Sequence, residues 1–256
     1  MRFAADFRAI ARAALRGKWL TAAFTSLTAS LIGAQIASGG GGGSSADTED
    51  SGFSLFESLD PQVVRIIEMM ALLILVITAV TAILGFIIGG AGKLGYARFN
   101  LNLVDGREAR IDDLFSQFHR LGAGFIMNLL TALYVFFWSL LFVIPGIIKT
   151  YSYAMTPYIL SEHPEYTPND AITLSRRMMD GNKFRLFCLR FSFIGWSILC
   201  SLPSAFAVTA LLSGSMLLLP LVFVTILGYL FLYAYQEAAQ AAFYREISGT
   251  EIQFTV

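Results

Sequence analysis

The chain has 256 residues, 56% of them hydrophobic and 14% charged, and its formal net charge is zero. Soluble domains carry about 25% charged residues, so this composition excludes an ordinary soluble domain, and the neutral balance offers nucleic acid no basic surface. Several apolar stretches approach the roughly 20 residues that span a bilayer core, which predicts an all-α, polytopic membrane helix bundle.

Residues 1–18 open the chain. Arg8, Arg12 and Arg16 repeat every four residues, while Phe3, Phe7, Ile10 and Ala14 make another face. The pattern predicts an N-terminal amphipathic helix lying in the membrane interface. No small-residue cleavage site follows, so the next apolar segment, 19–38, reads as a retained first span. Residues 39–61 are rich in Gly and Ser and hold Asp47, Glu49, Asp50, Glu57 and Asp60 without Lys or Arg. They read as a flexible, acidic, extracytoplasmic loop.

The second span is expected at 66–90. Arg65 and Glu68 lie one turn apart near its outer end, where they can pair. Gly85 and Gly89 have the small-xxx-small spacing that lets another helix approach. A polar stretch, 93–121, then carries Lys93, Arg98, Arg107, Arg110 and Arg120. The third span, 123–144, holds Asn128, a residue suited to hydrogen bonding between helices.

The next stretch, FVIPGIIKTYSYAM at 142–155, decides the topology. Segments 93–121 and 162–190 are both rich in Lys and Arg, and such segments stay in the cytoplasm. An even number of crossings must therefore separate them. The second of these is 146–161, with Pro145 and Gly146 as the turn and Lys149 one turn below the surface, its stem snorkelling outward. A re-entrant hairpin satisfies the same parity. Spans five and six follow at 187–211, kinked at Pro203, and 216–238, with Glu237 near the inner end. The expectation is six transmembrane helices in one domain, with both termini in the cytoplasm.

Catalytic constellations do not emerge. There is no HExxH, CxxC, GxSxG or Walker pattern, and the only histidines are His119 and His163. Cys188 and Cys200 are twelve residues apart, about 18 Å along one helix, too far for a disulfide. The reading is of a protein that is not an enzyme and takes no cofactor or metal. The polar positions in or beside spans, Lys149, Glu68, Arg65, Asn128 and Glu237, are the candidate functional residues. In EYTPNDAITLSRRMMDGNK, Thr167 is an N-cap, Pro168 the first helical residue, Asp170 a first-turn acid and Gly181 the stop. Arg176 and Arg177 leave this helix resting on lipid or docking a cytosolic or membrane protein partner.

FWSLLFVIPGIIKTYSYAMTPYIL, then NDAITLSRRMMDGNKFRLFCLRFSFIGW, then a last span ending in AAFYRE, resemble an uncharacterised bacterial family, domain-of-unknown-function family 975. ARAALRGKW and DDLFSQF fit the same pattern. The Pro-Gly turn and the Ser-Arg-Arg-Met-Met-x-Gly helix also resemble membrane regions attached to some glycerophosphodiester phosphodiesterases, without the phosphodiesterase domain. The resemblance implies a multi-pass protein of the bacterial plasma (inner) membrane and supplies no activity or catalytic residues.

Two function classes follow. One is a non-enzymatic scaffold, accessory or immunity-type component acting through protein contacts. The other is a small transporter or channel, with a path lined by Asn128, Lys149, the tyrosines of 151–158 and Glu237. A packed centre would favour the first, a polar crevice at membrane depth the second.

Overall fold

The computed structural model describes residues 3–31, 61–212 and 220–251, which contain helices and turns and no strand. In chain order these are α1 (Ala4–Leu15), α2 (Trp19–Leu31), α3 (Pro61–Val104), α4 (Asp112–Phe115), a 3-10 turn (Phe118–Arg120) and α5 (Leu121–Leu141). Then come α6 (Val143–Ser152), α7 (Thr156–Glu162), α8 (Pro168–Met178), α9 (Lys183–Phe191), α10 (Ile194–Leu212) and α11 (Pro220–Glu251). Among the described residues four helical stretches are long and apolar enough to cross a membrane: Val64–Val104, Asp112–Leu141, Lys183–Ala207 and Pro220–Gly249. Of the expected first span only α2 is described, and the acidic loop up to Asp60 lies outside the described residues.

Helix α3 has 44 residues, about 66 Å of rise, twice a bilayer core. Its first half exposes Leu72, Leu75, Ile83 and similar side chains, whereas Ala91, Leu94, Phe99 and Leu103 in its second half are buried. The sequence predicted a polar loop from residue 93, and the helix instead runs on to Val104. The glycines of GGAGKLG explain why. A Cβ at Gly90 would collide with the Gly124 backbone, and one at Gly95 with the backbone of Leu114. Each glycine costs roughly 1 kcal/mol of helix propensity, and close backbone packing against α5 and α4 offsets it.

The N-terminal helix differs from expectation in what it covers. Phe7, Ala11 and Leu15, one turn apart, are buried, while Phe3 is 77% exposed. Phe7 meets Phe243 of α11 edge-on at 5.2 Å. The apolar face of α1 therefore packs on protein rather than on lipid, with Arg8 half-buried and Arg12 and Arg16 exposed. Beyond the expected end of the last span at 238, α11 likewise runs on to Glu251, with Phe243, Tyr244 and Ile247 buried. Arg245 donates to both carboxylate oxygens of Asp105, at 2.8 and 2.6 Å, and to Glu162. Arg185 donates to Glu246 at 2.6 Å. These pairs tie the ends of α3, α7 and α9 to α11.

Helices α5 and α6 form an antiparallel hairpin. Its turn is at Phe142, the one extended residue between them (φ −159°, ψ 147°), not at Pro145 and Gly146. Pro145 is the third residue of α6, where its missing N–H has no intrahelical partner to lose. Gly146 lies in the contact: a Cβ there would strike Ser139. The expected helix 146–161 is two helices, broken at residues 153–155. Pro157, near the start of α7, lacks the N–H that would bond residue 153 and its ring clashes with that carbonyl, which disfavours one continuous helix. Helix α8 follows the sequence reading: the Thr167 side chain accepts from the Asp170 N–H, and Gly181 (φ +75°) closes the segment.

Candidate functional site: a polar cavity beside a broken helix

The break at 153–155 frees backbone groups, and side chains from elsewhere take them up. The Ser175 hydroxyl accepts from the Met155 N–H at 3.2 Å and donates to the Ser152 carbonyl at 2.8 Å. Gln240 Nε2 approaches the Ala154 carbonyl at 3.5 Å. Irregular backbone persists where protein partners satisfy it or where it lines a cavity. Both hold here.

A cavity of about 590 Å³ lies between the break and helices α3, α5 and α11. Its walls are mostly apolar, and its polar groups cluster. Lys93 Nζ donates to Asn128 Oδ1 at 3.1 Å, and Asn128 Nδ2 reaches the Phe86 carbonyl at 3.4 Å. Tyr158 donates to Glu237 Oε2 at 3.2 Å, and Tyr233 is a second hydrogen-bond partner of that carboxylate. Arg190 donates to Gln240 Oε1 at 2.8 Å and stands over the Tyr151 ring at 5.5 Å. Lys93 and Arg190 both act electrostatically on Glu237. Five helices, α3, α5, α7, α9 and α11, thus bring two cations, one carboxylate, two tyrosines and two amides to the lining of a mostly apolar chamber.

Of the residues singled out from sequence, Asn128 and Glu237 line this cavity, and so does Gly85. Gly89 is buried, and the tightest helix approach falls one residue later, at Gly90. Lys149 is not a lining residue. It stands 4.3 Å over the Trp138 ring, with Arg176 and Lys183 the charges that act on it. It therefore lies toward the α8–α9 side, and Glu68 is not among the charges that act on it. Glu68 is exposed near the start of α3, as Arg65 also lies near that end, and neither is part of the cavity. Arg176 and Arg177 are exposed on α8.

The sequence reading missed Lys93, Arg190, Gln240 and Tyr233. Lys93 and Arg190 looked like cytoplasmic loop cations. The available signal was context: Lys93 sits inside IIGGAGKLGYARF, and Pro157 flags a broken helix opposite it. Among the described residues no cluster of His, Cys, Asp and Glu could hold a metal ion, and Cys188 and Cys200 are free.

The exposed apolar surface of α3, α5, α10 and α11, with Leu140 at 73% and Phe206 at 63% exposed, is far beyond what water tolerates. Fold and cavity define a helical membrane protein with a mostly apolar chamber that carries a cluster of polar groups. Residues 140–251 match the family described as Protein of unknown function (DUF975). The likeness read from the sequence is borne out over that segment and brings no activity with it, and nothing shows the likeness to phosphodiesterase membrane regions. No curated protein and no solved structure matches.

Proposed function

We propose that the chain is a non-enzymatic transporter-type protein of the bacterial plasma membrane that binds a small amphipathic molecule in the cavity. The broken helix carries this reading. A helix interrupted beside a cavity, its free backbone groups close to convergent charges, is one way polytopic proteins build substrate sites. The chamber's apolar walls suit a hydrocarbon or ring body. Its polar end holds Lys93 and Arg190 against Glu237, one net positive charge when all three are ionised, which suits an anionic head. A scaffold would need no such chamber.

The same proposal includes a topology. Both termini are cytoplasmic, and the chain crosses fully in the segment beginning with α2 and in α3, α10 and α11. The α5–α6 hairpin enters the membrane and returns. Helix α6 has ten residues, about 15 Å, and its last carbonyl is bonded to Ser175 of α8. Helix α8 exposes Asp170, Arg176 and Arg177, so it cannot lie in hydrocarbon. The hairpin tip therefore reaches about half of a 30 Å core.

The test is hydration of the cavity. In a chain with Cys188 and Cys200 replaced by Ser, a single Thr131→Cys should react with a small charged thiosulfonate in membrane vesicles. A lipid-facing Leu72→Cys should not. Equal silence at both positions would mean a sealed centre and would return the scaffold reading.

A further inference from the structure

A second cavity, of about 510 Å³, opens between the α1–α2 corner and helices α10 and α11. Its floor is apolar, formed by Phe231, Leu232 and the contact of Gly228 with Cys200. Trp19 and Trp196 flank it, and Arg8 and Arg12 close one end. The Tyr235 hydroxyl donates to the Arg8 carbonyl at 3.1 Å, which fixes α1 across that end.

Neither arginine has a side-chain hydrogen bond or ion pair among the described residues, and Arg8 Nε is buried without a partner. The one acid of α1, Asp6, is engaged with the Phe3 N–H at 2.8 Å. A partly buried guanidinium left unpaired is unfavourable, and a planar fork of donors matches a phosphate oxygen pair. Trp at the flank is the side chain that settles at the headgroup level. The floor belongs to two helices long and apolar enough to cross the membrane.

We infer that this groove holds one anionic phospholipid, its phosphate between Arg8 and Arg12 and an acyl chain along the α10–α11 floor. The site is independent of the chamber described above, since none of its lining residues is shared. A free phosphate would satisfy the arginines and leave the apolar floor uncovered. A zwitterionic lipid would cover the floor and neutralise the arginines less.

The experiment uses the full chain in a neutral detergent, with phosphatidylglycerol, phosphatidylcholine and inorganic phosphate as probes and native mass spectrometry as the readout. Wild type should retain one phosphatidylglycerol and little phosphatidylcholine. At about 1 kcal/mol for each arginine, Arg8→Gln with Arg12→Gln should weaken retention about 30-fold. The double Lys variant should retain most of it, and Arg176→Gln with Arg177→Gln should leave it unchanged. Should the double Gln variant fail to fold, the exposed Arg12→Gln alone carries the test, with a loss of about fivefold. Unchanged retention by the Gln variants, equal retention of phosphatidylcholine, or displacement of the lipid by millimolar phosphate would each overturn the assignment.

Discussion

Gly90, buried within α3, and Gly122, exposed in the first turn of α5, differ in what a methyl group would meet. At Gly90 it would meet the Gly124 backbone, and neither helix can yield without parting α3 from α5. Gly90→Ala should therefore cost about 1–3 kcal/mol, the usual range for overpacking. At Gly122 the space is open within 4 Å. Gly122→Ala should gain up to about 1 kcal/mol of helix propensity. Melting temperatures in detergent should move in opposite directions, and equal shifts would contradict the contact. The charged cluster gives a second asymmetry. Glu237 faces two cations, Lys93 and Arg190. Glu237→Gln keeps the hydrogen-bonding shape for Tyr158 and leaves two like charges facing each other, at a cost of roughly 3 kcal/mol. Lys93→Met leaves the Arg190–Glu237 attraction, gives up the bond to Asn128 and should cost about 1–2 kcal/mol. A larger loss for Lys93→Met, read from thermal unfolding, would mean that Lys93 alone offsets the carboxylate. Glu237 and Asn128 were legible because a polar residue inside an apolar run stands out. Lys93 and Arg190 were not, because a cation at the edge of a run reads as the loop beyond it, and only three-dimensional packing shows the helix continuing past.

At the level of elements, the sequence spoke most clearly where one residue type has one job. Thr167, Pro168, Asp170 and Gly181 bounded α8 as predicted, since caps and stops act locally. The two prolines near the hairpin were harder. Pro145 was read as a turn and is tolerated inside the first turn of α6. Pro157 was read as part of a span and divides it. Local chemistry is the same at both; the outcome depends on whether the residue four back needs its bond. Ser175 shows how the division is held. Its hydroxyl serves the Ser152 carbonyl and the Met155 N–H, both buried. Ser175→Ala leaves both groups without that partner and should cost about 2–4 kcal/mol. Pro157→Ala removes the barrier to a continuous helix but not the Ser175 and Gln240 bonds, so it should change stability by less than Ser175→Ala. Unfolding both variants side by side in detergent checks the order. A reversed order would mean that Pro157, not the bonds from α8 and α11, maintains the break.

For the whole molecule, charge counting and geometry bear on different questions. Counting Lys and Arg requires that 93–121 and 162–190 share a side, and a hairpin of any depth meets that requirement. Depth is set by length and by what lies beside the hairpin. The exposed tip is wholly apolar from Leu140 to Ile144, each side chain at least 64% exposed among its large hydrophobics, so it belongs in hydrocarbon. Its base is fixed at the level of α8, where Tyr134 meets Asn169 at 3.4 Å and Ser152 meets Ser175 at 2.8 Å. The α6 arm above that base is about 15 Å long, half a bilayer core. A cysteine at Phe142 should therefore resist an impermeant maleimide from either side of intact membranes, while one at Arg177 labels only from the cytoplasm and one at Asp47 only from outside. Labelling of Phe142→Cys from outside would place the tip at the far surface and restore a six-span chain. Labelling of Arg177→Cys from outside would break the parity itself. Because the tip, Arg177 and Asp47 respond independently, the three results together separate a hairpin of the wrong depth from a topology that is wrong altogether.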